Sequence, residues 1–96
     1  MLSASSLPAG LVKTGCTPTF DEQTLPDSLQ REHVLPAGRW GLLRVLGGGV
    51  WFVDETTGAE TRVGAEKPRV IEPGKPHHLR TDGPLSLRVE FYELED

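Results

Sequence analysis

The clearest pattern in the chain is the alternation of apolar and polar residues close to its C-terminal end. The apolar positions of this stretch are Leu85, Leu87, Val89 and Phe91, and the polar positions between them are Ser86, Arg88, Glu90 and Tyr92. A period of two predicts a β-strand with one apolar and one polar face. In a sandwich the polar face meets water, whereas in a small barrel it can line a ligand pocket.

Shorter segments of strand-like composition, separated by glycine and proline, fill the chain from residue 31 onward. Further strands are predicted at 31–35, 39–46, 49–54, 59–63, 67–72 and around 77–80. Pro26 restricts any helix that begins near Asp21 to about one turn. We therefore predict an all-β domain of seven or so strands, a sandwich or a barrel, over residues 17–96, preceded by a loosely ordered segment at 1–16.

Composition narrows the class of protein further. A chain of 96 residues fits one domain, and its 11 glycines and 8 prolines suit frequent turns. The net charge of −4 argues against nucleic-acid binding. No apolar run approaches the roughly 18 residues of a membrane span. The single cysteine, Cys16, cannot form an internal disulfide, which favours a cytoplasmic protein. The sheet edges of so small a domain predict a homodimer.

An ordered set of short motifs resembles one known family. The motifs are His33 followed by Gly38-Arg39-Trp40-Gly41, then Val45-Leu46-Gly47-Gly48, then the turn from Pro73 to His78, and finally Val89-Glu90-Phe91-Tyr92. In this order they resemble the TehB/YeaR-like cupins, a group associated by name with tellurite resistance. The resemblance covers about residues 17–93 and implies a single-domain cupin jelly-roll barrel.

The resemblance also suggests where a binding site would lie. Metal-binding cupins carry two histidines and a glutamate ahead of the Val-Leu-x-Gly segment, and residues 37–44 of this chain have neither. The second motif is better kept, and it places His78 inside the barrel. His77 then points outward, because neighbours in a strand face opposite ways.

Three residues are the best candidate metal ligands. Glu90 belongs to the polar face of the last strand, and the resemblance places His33 on a strand beside the pocket. With His78 they predict a facial triad for one divalent transition metal, zinc, iron or manganese. The remaining predicted pocket residues are Arg44, Arg88, Trp40 and Tyr92. The alternative is that Glu90 pairs with arginine inside the barrel without any metal.

Three functions follow from this interpretation. The first is a small bacterial binding protein whose pocket, lined by His33, His78 and Glu90, holds a divalent metal or an unknown small ligand. The second is a metal-dependent enzyme of the dioxygenase or isomerase type with the same ligands. The third is a structural dimerisation domain with a vestigial pocket. The missing first motif favours the first function over the second, and convergence of the three residues in one cavity is the expected geometry.

Overall fold

The computed structural model describes residues 6–94, and its regular structure is almost entirely β-strand. The strands are β1 (Leu11–Cys16), β2 (Phe20–Asp21), β3 (Trp40–Asp54), β4 (Glu60–Gly64), β5 (Arg69–Ile71), β6 (His77–Arg80) and β7 (Leu85–Leu94). A single 3₁₀ turn, Asp27–Leu29, lies between β2 and β3. No α-helix occurs in the described range, so the predicted all-β class is confirmed. None of its helical segments is long and apolar enough to span a bilayer.

The fifteen-residue strand β3 serves both halves of the molecule. Its first part pairs antiparallel with β7 and β5, and its second part pairs antiparallel with β4 and β6. We call the first part of β3, together with β1, β2, β5 and β7, the first sheet. The second part of β3, together with β4 and β6, is the second sheet. The sequence predicted two strands here, at 39–46 and 49–54, because a glycine triplet separates them. The structure instead continues one strand through the triplet.

Glycine is required at the centre of that triplet. Gly48 has a φ of +63°, and a Cβ at this position would lie 2.9 Å from the carbonyl carbon of Pro84 and overlap its oxygen. The register between β3 and β7 also shifts between Val45 and Gly47. An irregularity of this kind increases the local twist of a strand, so β3 passes from one sheet to the other without a break.

The core lies between the inner faces of the two sheets. One cluster of buried residues joins Leu43, Leu87 and Val89 of the first sheet to Val50 and Phe52 of the second. Leu43, Leu87 and Val50 are its largest fully buried side chains. The apolar face predicted for β7 is therefore confirmed as a core face.

The strand pairings do not close the sheet into a barrel. The path of paired strands in residues 6–94 runs β1-β7-β3-β4, with β2, β5 and β6 as branches from it. Because β1 and β4 end the path without meeting, the predicted barrel is not closed by hydrogen bonds. The apolar faces are buried instead by folding the sheet over at β3.

Two other expectations differ from the structure. Residues 11–16 belong to the segment expected to be loosely ordered. They instead form β1, which pairs with β7 from Leu11 opposite Leu94 to Cys16 opposite Glu90. Residues 1–5 lie outside the described residues. The segment 31–35 is not a strand, because it has one bridge only, between His33 and His77.

We expect replacement of Gly48→Ala to destabilise the protein by about 2–3 kcal/mol, since alanine is strained at positive φ and its methyl group meets Pro84. Gly47→Ala is the matched control, because its nearest neighbour outside the local chain is Ser86 Cβ at 4.0 Å. That variant should change stability by less than about 1 kcal/mol. Urea unfolding measures both, and equal midpoints for the two variants would contradict this account of the bend.

Candidate functional site

An internal cavity opens between the core and the segment that precedes β3. Its volume is about 60 Å³, and its lining is mostly apolar, with Thr17, His33 and His77 as the polar members. The apolar lining residues are Leu29, Leu35, Ile71, Leu79, Val89 and Phe91. A mainly apolar lining with a few polar groups is typical of a small-ligand site.

The backbone holds His33 and His77 next to one another. Each residue's N–H donates to the carbonyl oxygen of the other, at 2.9 Å in both directions. The two imidazole rings meet edge to face, with centroids 4.2 Å apart and planes at 64°. The pair therefore forms one unit, contributed by the segment before β3 and by the first residue of β6.

The hydrogen bonds of the two rings determine which nitrogen is available to a ligand. Nδ1 of His33 lies 2.9 Å from the carbonyl oxygen of Arg31, and Nδ1 of His77 lies 2.9 Å from that of Lys75. A carbonyl only accepts, so in the neutral ring each Nδ1 carries the proton and each Nε2 carries a lone pair. Nε2 of His77 is buried and has no hydrogen-bond partner among residues 6–94. His77, a residue of the cavity lining, thus has a buried acceptor that lacks a donor among residues 6–94.

Burial keeps the His77 ring neutral. The residue is only 3% exposed. Burial lowers the pKa of His77 below its ordinary 6.5, and the neighbouring His33 and His78 lower it further. The hydrogen bond to the Lys75 carbonyl and the charge of Asp54 act in the opposite direction. Neutral imidazole is the form that accepts a hydrogen bond or binds a metal.

Behind His77, a stack of side chains continues into a second, smaller cavity of about 20 Å³. The Phe52 ring stacks on His77 with centroids 5.1 Å apart, and the guanidinium of Arg69 lies 4.5 Å from the centroid of Phe52. Nε of Arg69 is also buried without a partner among the described residues. The Phe52 ring therefore restrains the orientation of the His77 ring.

The predicted orientation of the two adjacent histidines is reversed in the structure. His78 faces away from the cavity, and its Nδ1 bonds the carboxylate of Glu55. The reason is the register of β6, in which Leu79 pairs with Phe52 and His77 with Asp54. Leu79 is a core residue, and His77, two positions earlier, shares its face. The apolar Leu79 is the sequence signal for this orientation, and it outweighs the family motif that favours His78.

Glu90 lies on the far side of the first sheet from the cavity. Its neighbours Val89 and Phe91 line the cavity, so strand alternation directs Glu90 to the opposite face. The predicted convergence of His33, His78 and Glu90 in one cavity is therefore wrong. The structure brings His33 together with His77, and it places His78 and Glu90 elsewhere.

The residues predicted to accompany Glu90 do surround it, although on the outer face. Glu90 Oε2 accepts from Nε of Arg44 at 3.1 Å and from Nε of Arg88 at 3.0 Å, and Oε1 accepts from the Tyr92 hydroxyl at 3.0 Å. Trp40 belongs to the same face, opposite Tyr92 in the register. Of the two interpretations of Glu90, the structure has the arginine pairing, but on the outer surface of the sheet.

These contacts determine the ionisation of Glu90. Its burial alone would raise the pKa, but the hydrogen bonds from Arg44, Tyr92 and Arg88 outweigh burial and lower the pKa from 4.5 to about 2. Burial and the bond to ionised Glu90 raise the pKa of Tyr92. Glu90 is therefore a carboxylate at neutral pH, and Tyr92 is a protonated donor.

The predicted ligand set does not fit a metal ion. A catalytic metal commonly takes three protein ligands around one point. His33 lies at the cavity, His78 beside Glu55, and Glu90 on the outer face of the first sheet. Residues 6–94 contain no group of three or more histidine, cysteine, aspartate and glutamate side chains arranged to hold a metal.

Comparisons with known proteins give a consistent family assignment. The family model of the TehB-like domain matches residues 16–89. A crystal structure of a protein from Escherichia coli K12 superposes with a TM-score of 0.84 at 20% identity, covering 95% of this chain and 98% of that one. The crystal structure of TehB from Haemophilus influenzae gives a TM-score of 0.81 at 26% identity, covering 90% of this chain but only 32% of TehB. The search of curated proteins found no match.

We expect Glu90→Gln to lower the stability at neutral pH by about 1–3 kcal/mol, because charge-assisted hydrogen bonds are lost from a buried position. The folded pKa of Glu90 is depressed, so its contribution is complete above pH 4.5 and is lost as the pH falls towards about 2. The difference between wild type and variant should shrink over that interval in urea unfolding experiments. Glu93→Gln, which removes the partner of the more exposed Arg39, is the control and should cost less than about 1 kcal/mol. A constant difference down to pH 2 would contradict the assignment.

From the lowered pKa of His77 we predict a second pH dependence of the stability, between pH 7 and 5. Below pH 6.5 the unfolded chain binds a proton at this residue while the folded chain does not, so the stability should fall as the pH is lowered. The slope from this residue is at most about 1.4 kcal/mol per pH unit. His77→Gln should flatten the dependence of the urea midpoint between pH 7 and 5, whereas His78→Gln should leave that contribution in place. An unchanged slope in His77→Gln would refute a buried neutral imidazole.

Proposed function

Because the chain belongs to the TehB-like domain family, we propose that it is a binding module that holds a small, mainly apolar molecule in the cavity beside His33 and His77. The unpartnered Nε2 of His77 is the observation that carries this proposal. A buried acceptor without a donor costs about 1–3 kcal/mol. A ligand that donates a hydrogen bond to it would recover that energy.

The cavity wall defines the chemistry of the ligand. Thr17 is already engaged, since its hydroxyl donates to the carbonyl of Pro18 at 2.8 Å and accepts from the N–H of Val89 at 3.0 Å. The Nε2 atoms of the two histidines are therefore the polar groups left to contact a ligand, because each Nδ1 is bonded to a carbonyl. The ligand class is a compact apolar molecule with one hydroxyl, thiol or amine donor, small enough for about 60 Å³.

The arrangement of the two facing sheets also has a more specific interpretation. We infer that the two facing sheets are a cupin-type jelly roll, because a jelly roll packs its core between two such layers. The two superposed crystal structures support the same arrangement of strands along nearly the whole chain. The homodimer predicted from the sequence remains part of the proposal, and light scattering at micromolar concentration would test it.

A binding role agrees better with the site than the enzymatic alternative. The predicted metal ligands are dispersed over both faces of the molecule, and the Thr17 hydroxyl of the cavity lining is held by its hydrogen bonds with Pro18 and Val89. The chain corresponds to about a third of TehB, so the activity of that larger protein does not transfer to it directly. The third function, a domain with a vestigial pocket, predicts that nothing binds at His77.

Two probes of equal size distinguish these roles. 2-Propanol and acetone have similar shapes, but only the alcohol can donate a hydrogen bond to Nε2 of His77. One net hydrogen bond is worth about 1 kcal/mol, so we expect 2-propanol to bind about fivefold more tightly. The measurement is the nitrogen chemical shift of the His77 ring during titration with each probe.

Matched variants complete the experiment. His77→Leu should abolish the preference for 2-propanol, because leucine keeps an apolar wall and removes the acceptor. His78→Leu should retain the preference, since that ring lies outside the cavity beside Glu55. Equal binding of both probes, or a preference that survives in His77→Leu, would refute the proposed site.

A further inference from the structure

The outer face of the first sheet carries more positive charge than its carboxylates neutralise. Lys13, Arg44 and Arg88 all lie within 4 Å of one carboxylate, that of Glu90. We call these four residues the Glu90 cluster. Its formal charge is +2, from three cations and one anion, although the whole chain has a net charge of −4. A local excess of this size requires an explanation.

From this excess we propose that the Glu90 cluster is a binding site for a small oxyanion, on the opposite side of the sheet from the histidine cavity. Arg44 and Arg88 are directly opposite each other in the register of β3 and β7. Like charges in that position repel and destabilise a sheet. One carboxylate offsets part of the repulsion, and a bound anion would offset the remainder.

The exposures of the four side chains have the order that a binding site requires. Glu90 is 4% exposed, whereas the side chains of Lys13, Arg44 and Arg88 are 48%, 38% and 31% exposed. The carboxylate therefore lies beneath the cations, and the cations reach solvent. An anion arriving from solvent meets the positive groups first.

Glu90 also fixes the arginines in place. Its Oε2 accepts hydrogen bonds from Nε of both guanidinium groups. Within residues 6–94 those groups donate to no residue other than Glu90. The Nη1 nitrogen of each arginine is left to contact a ligand. Planar guanidinium groups suit oxyanions because they donate parallel hydrogen bonds. Groups already held in position lose less entropy on binding.

Neighbouring acidic groups do not neutralise the cluster. Asp21 lies opposite Ser86 on the same sheet, but its carboxylate accepts from the backbone N–H groups of Gln23 and Thr24 at 2.8 and 2.9 Å. On the second sheet the ion pairs are matched one to one, Arg62 with Asp82 and Arg80 with Glu60. The Glu90 cluster differs from these pairs in having three cations for one anion.

Titration with inorganic phosphate tests the site. The signals of the arginine Nε–H groups are followed by NMR at constant pH and ionic strength, with chloride as the balancing anion. We expect saturable shifts at Arg44 and Arg88 with phosphate. Lys13→Gln should weaken binding about three- to fivefold, as expected for loss of one half-exposed charge. This variant should fold normally, because Lys13 is half exposed and lies 3.8 Å from Glu90.

Further variants separate a site from a general field. Arg88→Gln should weaken phosphate binding at least tenfold, since a charge and its directed donors are both lost. Arg62→Gln, in a matched pair on the other sheet, should leave the phosphate affinity unchanged. An equal loss of affinity in Arg62→Gln and Lys13→Gln, or equal shifts with chloride alone, would overturn the proposal.

A second probe distinguishes two sources of the same chemistry. In phenyl phosphate the phosphate group is attached to a larger molecule, whereas inorganic phosphate is the oxyanion alone. Equal affinities support recognition of the free oxyanion, and a tenfold preference for phenyl phosphate supports a phosphorylated small molecule as the ligand. The outcome is independent of the 2-propanol experiment, because the cavity and the Glu90 cluster lie on opposite sides of the sheet.

Discussion

The close approach of Gly48 to Pro84 is the constraint on which the rest of the structure depends. Positive φ at Gly48 and the missing Cβ allow β3 to pass the start of β7 and enter the second sheet. One strand then organises both sheets, pairing with β7 and β5 before the bend and with β4 and β6 after it. Since the two inner faces meet in one core, the bend determines which side chains of the strands paired with β3 are buried.

Both polar centres of the molecule derive from that arrangement. Burial of Leu79 against the second half of β3 turns His77 into the cavity, and burial of Val89 against the first half turns Glu90 outward. The resulting environments have opposite electrostatic character. Inside, desolvation keeps an imidazole neutral. On the outer face, arginine and tyrosine donors lower the pKa of the Glu90 carboxyl to about 2 and so keep it ionised at neutral pH.

The two centres also differ in what they lack. Beside the cavity, His77 has at Nε2 a buried acceptor for which residues 6–94 supply no donor. The Glu90 cluster has cations in excess of its single carboxylate. Each deficiency indicates the complementary ligand, a hydrogen-bond donor in the first case and an oxyanion in the second. A module with both sites would bind two chemically different small molecules on opposite sides of one sheet.

The sequence by itself determined the all-β class, the family and most of the strands. The alternation from Leu85 to Tyr92 identified β7 and its core face, because a period of two has a single structural meaning once one face is buried. The same alternation places Arg88 and Tyr92 on one face with Glu90, whereas Arg44 and Trp40 join that face only through the pairing of β3 with β7. A period of two in β6 likewise assigns His77 to the face of the apolar Leu79.

Only the tertiary structure decided how these elements meet. The glycine triplet reads as a break between strands, and its role as a bend depends on the contact with Pro84, which is distant in sequence. The pairing of β1 with β7 is equally non-local. His33 belongs to no strand, and a single bridge to His77 brings it to the cavity. Local patterns determine which face of a strand a side chain occupies, whereas contacts between distant segments determine what that face encloses, because their energies appear only when the chain is folded.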